Sequence, residues 1–274
     1  MMMAKTIAIC NQKGGVTKTT TTLNLGIGLA REGKRVLLVD ADPQNDLTSA
    51  LGWEADGLDH SLGRLMYLVT QDYRPIVQDT ILHHAEGVDL IPSNLDLSSM
   101  ESQLVNAMSR EKVMTNILKD VKDDYDYILI DCMPSLGMIT INALTAADEV
   151  IIPVQAQYLP TKGMTHLMKS IDMVRNHTNE NLKIAGIVMT LVDGRTNLSK
   201  EVINTIRTKY GMSIRIFDTQ IPVAVKAAEA SKAGMSIFSY DRNSKPALAY
   251  EQLTKEVMRL AERERHRDEV AITR

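Results

Sequence analysis

Residues 11–24 read NQKGGVTKTTTTLN and constrain this chain more than any other stretch. They follow an apolar, β-rich run, Thr6-Ile7-Ala8-Ile9-Cys10, and open a segment whose Leu23, Leu25, Ile27 and Leu29 can cover one helix face. The order is strand, glycine-rich loop, helix. Gly14 and Gly15 let the backbone come close to an anion, and the loop N–H groups join the positive end of the helix dipole in cradling it. In this arrangement Lys18 neutralises the β and γ phosphates of a nucleotide and the Thr19 hydroxyl ligates Mg²⁺, with Val16, Thr17 and Thr20 completing the cradle.

The ordinary phosphate-loop pattern fails here, because Gln12 and Thr17 occupy its glycine positions. The variant K-G-G-x-x-K-[ST] fits instead, with an additional lysine, Lys13, before the glycine pair. In these residues the chain resembles the ParA/MinD group of deviant Walker A ATPases. The resemblance implies ATP and Mg²⁺ as cofactors, and a Lys13 that reaches across a homodimer to the partner's nucleotide. Thr17 departs from the family, which usually has glycine there. If the loop needs φ > 0 at that point, a β-branched residue costs about 1–3 kcal/mol, with weakened nucleotide binding or altered hydrolysis as the consequence.

Three further blocks extend the resemblance over nearly the whole chain. Lys34 to Asp40 (KRVLLVD) is a continuous apolar run ending in an acid, as expected of a buried parallel strand. Its continuation DADPQ lies where parallel α/β sheets bind ligands. The resemblance makes Asp42 the residue that orients the attacking water, with Lys13 and Lys18 as the other catalytic residues and Asp40 supporting the metal shell. Tyr125 to Asp131 (YDYILID) delivers a second strand-end carboxylate, the Walker B arrangement, with Asp131 holding Mg²⁺ opposite Thr19. The following DCMPSLG, with Met133 in place of a family proline, is the segment expected to respond to the γ phosphate. Asp193-Gly194-Arg195-Thr196-Asn197-Leu198 and Phe217 to Ala230 match the family's DNA-contacting runs. The resemblance there implies Arg195 and Lys226 as DNA contacts, extended by Lys232, Arg242 and Lys245, and Pro222 as a wall for the adenine. Val223 stands where the family has a basic residue, so one of two cations is lost.

The rest of the chain bounds these readings. A length of 274 residues is ample for a buried core, and no linker or repeat divides it, so one ParA-type domain over 1–274 is expected, frayed at about 265–274. Alternating strands and helices imply an α/β fold with a doubly wound, mostly parallel sheet and helices on both faces. Leu95 to Lys122 carries Leu97, Met100, Leu104, Met108, Val113, Ile117 and Val121 at helical spacing, so its methionines read as core filler. Trp53 and Tyr67 read as packing residues. The last helix is expected from Pro246 to about Arg267.

Cys10 and Cys132 adjoin site strands and read as reduced, partly buried thiols rather than a disulfide framework or cluster ligands. The net charge of −3 argues against a protein that coats nucleic acid globally. From Asp193 to Lys245, however, nine Lys/Arg face five acids, which offers a local basic face, although solvated charges on ordinary helices explain the same count. No apolar run approaches the roughly 20 residues of a membrane span, and the tail offers only Val270 and Ile272 to an amphipathic anchor, so a cytoplasmic protein with no membrane partner is expected, and the resemblance implies that it associates with the nucleoid.

The resemblance as a whole implies an ATP-dependent homodimer that binds double-stranded DNA nonspecifically and releases it on hydrolysis stimulated by a ParB-type centromere-binding partner. Two alternatives stand beside it: a MinD-like membrane-associated regulator, and an ATP-binding dimer whose hydrolysis Thr17 impairs.

Overall fold

The computed structural model describes residues 4–157 and 162–272. Eight strands form one sheet: β1 (Lys5–Ile9), β2 (Val36–Ala41), β3 (Leu82–His83), β4 (Asp89–Ile91), β5 (Tyr127–Cys132), β6 (Glu149–Gln155), β7 (Lys183–Val192) and β8 (Ile216–Pro222). Their spatial order is β3-β4-β2-β5-β1-β6-β7-β8. All neighbours are parallel except the β3–β4 pair. Sequence reading anticipated the parallel strands of the apolar runs; the two-residue antiparallel edge strand carries no such signal.

The α-helices are α1 (Lys18–Arg31), α2 (Asp46–Ala50), α3 (Leu62–Thr70), α4 (Leu97–Gln103), α5 (Val113–Lys119), α6 (Met138–Ala146), α7 (Lys162–His177), α8 (Asn197–Tyr210), α9 (Val225–Lys232), α10 (Ile237–Tyr240) and α11 (Lys245–Ile272). They divide between the two faces of the sheet, and β5 shows why. Its side chains alternate, Ile128, Ile130 and Cys132 entering the core under α3 to α8 while Tyr127 and Leu129 enter the core under α1 and α11. A strand buried on both faces must be apolar throughout, and YILI is.

Helix α1 lies between sheet and solvent-side helix at close quarters. A Cβ on Gly26 would sit 2.5 Å from Leu38 Cδ2, and one on Gly28 would sit 2.3 Å from Thr254 Oγ1 of α11. Both glycines are therefore packing requirements.

Two expectations are corrected. The stretch Leu95 to Lys122 is broken rather than one helix: α4 gives way to an extended Ala107 and a left-handed Ser109 (φ 49°), and Met108 is 93% exposed instead of filling the core. The other spaced residues, Leu97, Met100, Leu104, Val113, Ile117 and Val121, are buried as expected, and Met114 with them. The last helix runs from Lys245 to Ile272, beyond the expected end near Arg267; the side chains of Val270 and Ile272 lie outside the described residues. Trp53 packs partly buried, edge-on to His84, whereas Tyr67 is exposed under the Arg64 guanidinium.

Candidate functional site

The site sits at the carboxyl edge of the sheet, where β1, β2 and β5 end side by side. Parallel register pairs Asp40 with Asp131 and Ile9 with Asp131, so both strand-end acids arrive beneath the loop that follows β1. That loop is tied from three sides. Asn11 Nδ2 donates to the Pro153 carbonyl at 2.6 Å, its Oδ1 accepts from the Lys13 N–H at 3.0 Å, and Thr190 Oγ1 of β7 donates to the Val16 carbonyl at 3.1 Å.

Gly15 takes φ 72°, and a Cβ on Gly14 or Gly15 would meet no protein atom within 4 Å. The glycine pair thus leaves its backbone open to an incoming group. Thr17 takes φ 66°, ψ 33°, the left-handed conformation anticipated for this position, at the start of α1. Lys18 is buried and donates across the loop to the Lys13 carbonyl at 3.4 Å, so its ammonium spans the cradle. The Lys13 side chain instead leaves the loop, with Nζ 3.3 Å from Gln155 Oε1 at the end of β6.

The acids divide their work. Asp131 accepts from Thr22 Oγ1 at 3.2 Å through Oδ1, while its buried Oδ2 has no hydrogen-bond partner. Burial, with Asp40 adding to it, pushes its carboxyl up to about 8; the Thr19 hydroxyl and Lys18 oppose the shift. An orphaned buried carboxylate oxygen beside a threonine hydroxyl and an ammonium fits a hydrated Mg²⁺ on a phosphate, a site needing few protein ligands. Among the described residues no group of three or more His, Cys, Asp or Glu converges on a metal position.

Asp40, expected in the same metal shell, commits both oxygens elsewhere. Oδ2 accepts from Thr48 N (2.9 Å) and Thr48 Oγ1 (2.7 Å), and Oδ1 from Asp42 N (3.2 Å). Burial pushes its carboxyl up to about 7 against those bonds. Asp40 therefore shapes the turn carrying Asp42, whose Oδ1 accepts from Gln44 N at 3.0 Å. Asp42 is 8% exposed and stands near Asp46, whose carboxyl is raised by burial and by Asp42 and lowered by Lys18.

Thr22, Thr48 and Glu101 are site residues that sequence reading missed. Glu101 of α4 accepts from the N–H groups of Met138 (2.8 Å) and Ile139 (3.2 Å), capping α6 where the DCMPSLG segment ends. A Cβ on Gly137 would sit 2.5 Å from Glu101 Oε1, so that glycine is what admits the carboxylate. Only Thr22 had a signal in the sequence, one helical turn after Lys18.

The basic candidates separate into groups. Register pairs Val192 with Pro222, and Val223 N donates to the Val192 carbonyl at 3.2 Å, so the loop bearing Arg195 and the turn into α9, whose first turn carries Lys226, leave the sheet side by side. Half-buried Pro222 sits at that junction. Arg195 is paired with Asp193 and Lys226 with Asp241. Lys232 is exposed at the end of α9 and Lys245 at the start of α11. Arg242 lines a separate cleft with Arg31, Glu32 and Glu251. Cys132 ends β5 and Cys10 directly follows the adjacent β1; both are unbridged, and they are fully rather than partly buried.

A mostly parallel sheet with a glycine loop, a buried lysine and two strand-end acids at its carboxyl edge defines a P-loop nucleotide-binding protein of the deviant Walker A type. The family described as an AAA domain matches residues 4–184. The sporulation initiation inhibitor protein Soj of Bacillus subtilis (strain 168) is 44% identical over 255 residues, 93% of this chain and 98% of Soj. The chromosome partitioning protein ParA of Caulobacter vibrioides is 38% identical over 93% of this chain and 94% of its own length. The chain belongs to the Soj/ParA family of partition ATPases.

Solved structures agree with that placement. Cobyrinic acid a,c-diamide synthase from Mycobacterium smegmatis, with bound ADP and magnesium, superposes with a TM-score of 0.82 at 35% identity, covering 94% of this chain and 95% of that one. The septum site-determining protein MinD from Pyrococcus horikoshii OT3, complexed with Mg-ADP, gives 0.72 at 26% identity, covering 94% and 98%.

Proposed function

We propose that this chain is a single-domain partition ATPase that binds ATP and Mg²⁺ at the loop 11–20, pairs with a second copy around the nucleotides, and holds double-stranded DNA until hydrolysis releases it. The observation that supports the reading is the Val192–Pro222 register, which sets the Arg195 loop beside the start of α9, where Lys226 lies, on the sheet edge that also bears the phosphate loop. Nucleotide state and DNA contact then share one edge of one sheet.

In this reading the loop N–H groups and Lys18 hold the triphosphate. Thr19 and Asp131 would hold Mg²⁺, which supplies neutralising charge at the β and γ oxygens. Asp42 orients the attacking water, with its turn fixed by Asp40 and Thr48. Lys13, directed out of its own loop, contacts the partner subunit's nucleotide and aids hydrolysis there. Pro222 borders the base. Arg195 and Lys226, joined by Lys232, Arg242 and Lys245, meet phosphates of the DNA backbone, so binding is nonspecific and falls steeply with salt. A ParB-type partner accelerates hydrolysis, and the protein works in the cytoplasm on the nucleoid.

The test is nonspecific duplex binding with and without ATP over a salt series. Tight binding only with ATP, with a steep salt slope, is expected; equal affinity in both conditions removes the switch. A MinD-like role at a membrane is the second reading, resting on the structural likeness to MinD. No helix among the described residues is long and apolar enough to cross a membrane, so co-sedimentation with anionic liposomes decides it. Slow or absent turnover is the third, resting on the left-handed Thr17, and phosphate release by the parent chain against Thr17→Gly tests it.

A further inference from the structure

The last helix reaches the phosphate loop from behind. Tyr250 of α11 is wholly buried, and its hydroxyl lies 3.3 Å from Oγ1 of Thr21, on the first turn of α1. The Thr17 hydroxyl is buried on the same phenol without a well-formed hydrogen bond of its own. Burial pushes the phenol up to about 12, with both threonines opposing. The Thr21 N–H in turn donates to the Thr17 carbonyl at 2.9 Å, so the three residues form one cluster around the turn into α1.

The phenol has little freedom to be elsewhere. Gly28 lets α11 approach until Thr254 Oγ1 fills the space of a Cβ, and that hydroxyl donates to the Tyr250 carbonyl at 2.8 Å. On its other side α1 is pressed to the sheet at Gly26. Tyr250 is thus delivered to a fixed point behind the loop.

Packing alone does not account for a hydroxyl there. Phenylalanine has the same shape and would spare the cost of desolvating an oxygen whose hydrogen-bond partner is a single threonine hydroxyl, Thr21 Oγ1. Thr17 raises the same question, since glycine would take φ 66° without strain. The two anomalies touch.

We propose that Tyr250 is a positioning residue of the nucleotide site, its hydroxyl bracing Thr17 and Thr21 so that a strained threonine holds the loop N–H groups in the geometry that triphosphate requires. This rests on the ATP-binding reading above and deepens it.

The experiment is a double-mutant cycle on ATP affinity with Mg²⁺, measured by calorimetry on the parent chain, Tyr250→Phe, Thr17→Gly and the double variant, with melting temperature followed in parallel. Tyr250→Phe is expected to weaken ATP about fivefold in the parent and less than about twofold in the Thr17→Gly background, because glycine needs no brace. Equal weakening in both backgrounds, or none in either, overturns the proposal. Should Tyr250→Phe fail to fold, Thr21→Val removes the phenol's nearest partner and must show the same dependence on residue 17. If the parent and Thr17→Gly both fail to bind ATP, the nucleotide reading itself falls and takes the proposal with it; that outcome is distinct from tight binding indifferent to residue 250.

Discussion

Arg195 is gripped by Asp193, two residues before it, through Nε to Oδ1 and Nη2 to Oδ2, both at 3.0 Å. Those hydrogen bonds hold the Asp193 carboxyl down at about 2. Lys226 is likewise engaged by Asp241. Both principal DNA candidates therefore stand beside an acid that neutralises them and competes with phosphate. Asp193→Asn is expected to tighten ATP-dependent DNA binding several-fold. Arg195→Ala is expected to lower the slope of log affinity against log salt by about 0.9, the share of one phosphate contact. Binding across a salt series measures both, and a slope unchanged in Arg195→Ala removes Arg195 from the interface.

Thr17→Gly replaces a left-handed threonine with the residue suited to φ 66°. Relief of strain, about 1–3 kcal/mol, is partly offset by the greater freedom of glycine in the unfolded chain, about 0.5–1 kcal/mol. A net gain of about 1 kcal/mol in denaturant unfolding is expected, together with faster phosphate release. A loss of stability would show that the tertiary contacts of Thr17 outweigh its backbone strain.

Lys5 gives a pH dependence. Its ammonium lies 2.8 Å from Glu149 Oε1 and also pairs with Glu264 of α11. Burial pushes Glu149 up to about 6, against the pull of Lys5. Glu264, despite partial burial, is held at about 2 by Lys5, Glu149 and Lys183. Glu264 contributes stability that is present above about 4.5 and lost as pH falls towards 2. Glu149, raised in the fold, contributes most below about 4.5 and loses it as pH rises through 6. Lys5→Met leaves the buried Glu149 without its cation, while the partly buried Glu264 keeps Lys183, so its cost is expected to be larger at pH 8, about 2–3 kcal/mol, than at pH 5, where Glu149 takes up a proton. Melting temperatures at the two pH values test this; an equal loss at both would show that Glu149 does not titrate between them.

Gly28→Ala places a methyl 2.3 Å from Thr254 Oγ1 in the α1–α11 crossing. A loss of about 1–3 kcal/mol is expected from overpacking, with at least half recovered by adding Thr254→Ala, which vacates the space. Additive losses in the double variant would mean that the helices separate rather than clash.

The nucleotide loop and the Walker B strand were legible because their chemistry is local. A glycine pair, a lysine at the start of a helix and an apolar run ending in Asp131 must be contiguous to work, and contiguity is what a sequence displays. The left-handed Thr17 was legible for the same reason, since backbone strain belongs to a position. In Leu95 to Lys122 helical spacing found the buried residues and missed the break, since an extended Ala107 and a left-handed Ser109 interrupt the helices and leave Met108 in solvent. Thr48 on Asp40, Glu101 on the start of α6, and Asp241 on Lys226 act through side chains whose partners are set by geometry, whereas Asp193 is a sequence neighbour of Arg195.

The chain's sequence alone determined the α/β order, the phosphate loop, the strand-end acids and the family, all written within runs of about a dozen residues. Tertiary structure alone decided that Val192 and Pro222 meet, that Asp40 serves Thr48 while Asp131 keeps an oxygen free, and that Tyr250 reaches Thr21 from more than two hundred residues away. The reason is physical: local conformation follows from each residue's own backbone and neighbours, whereas the partner of a buried polar atom depends on which strands and helices the whole core brings into register.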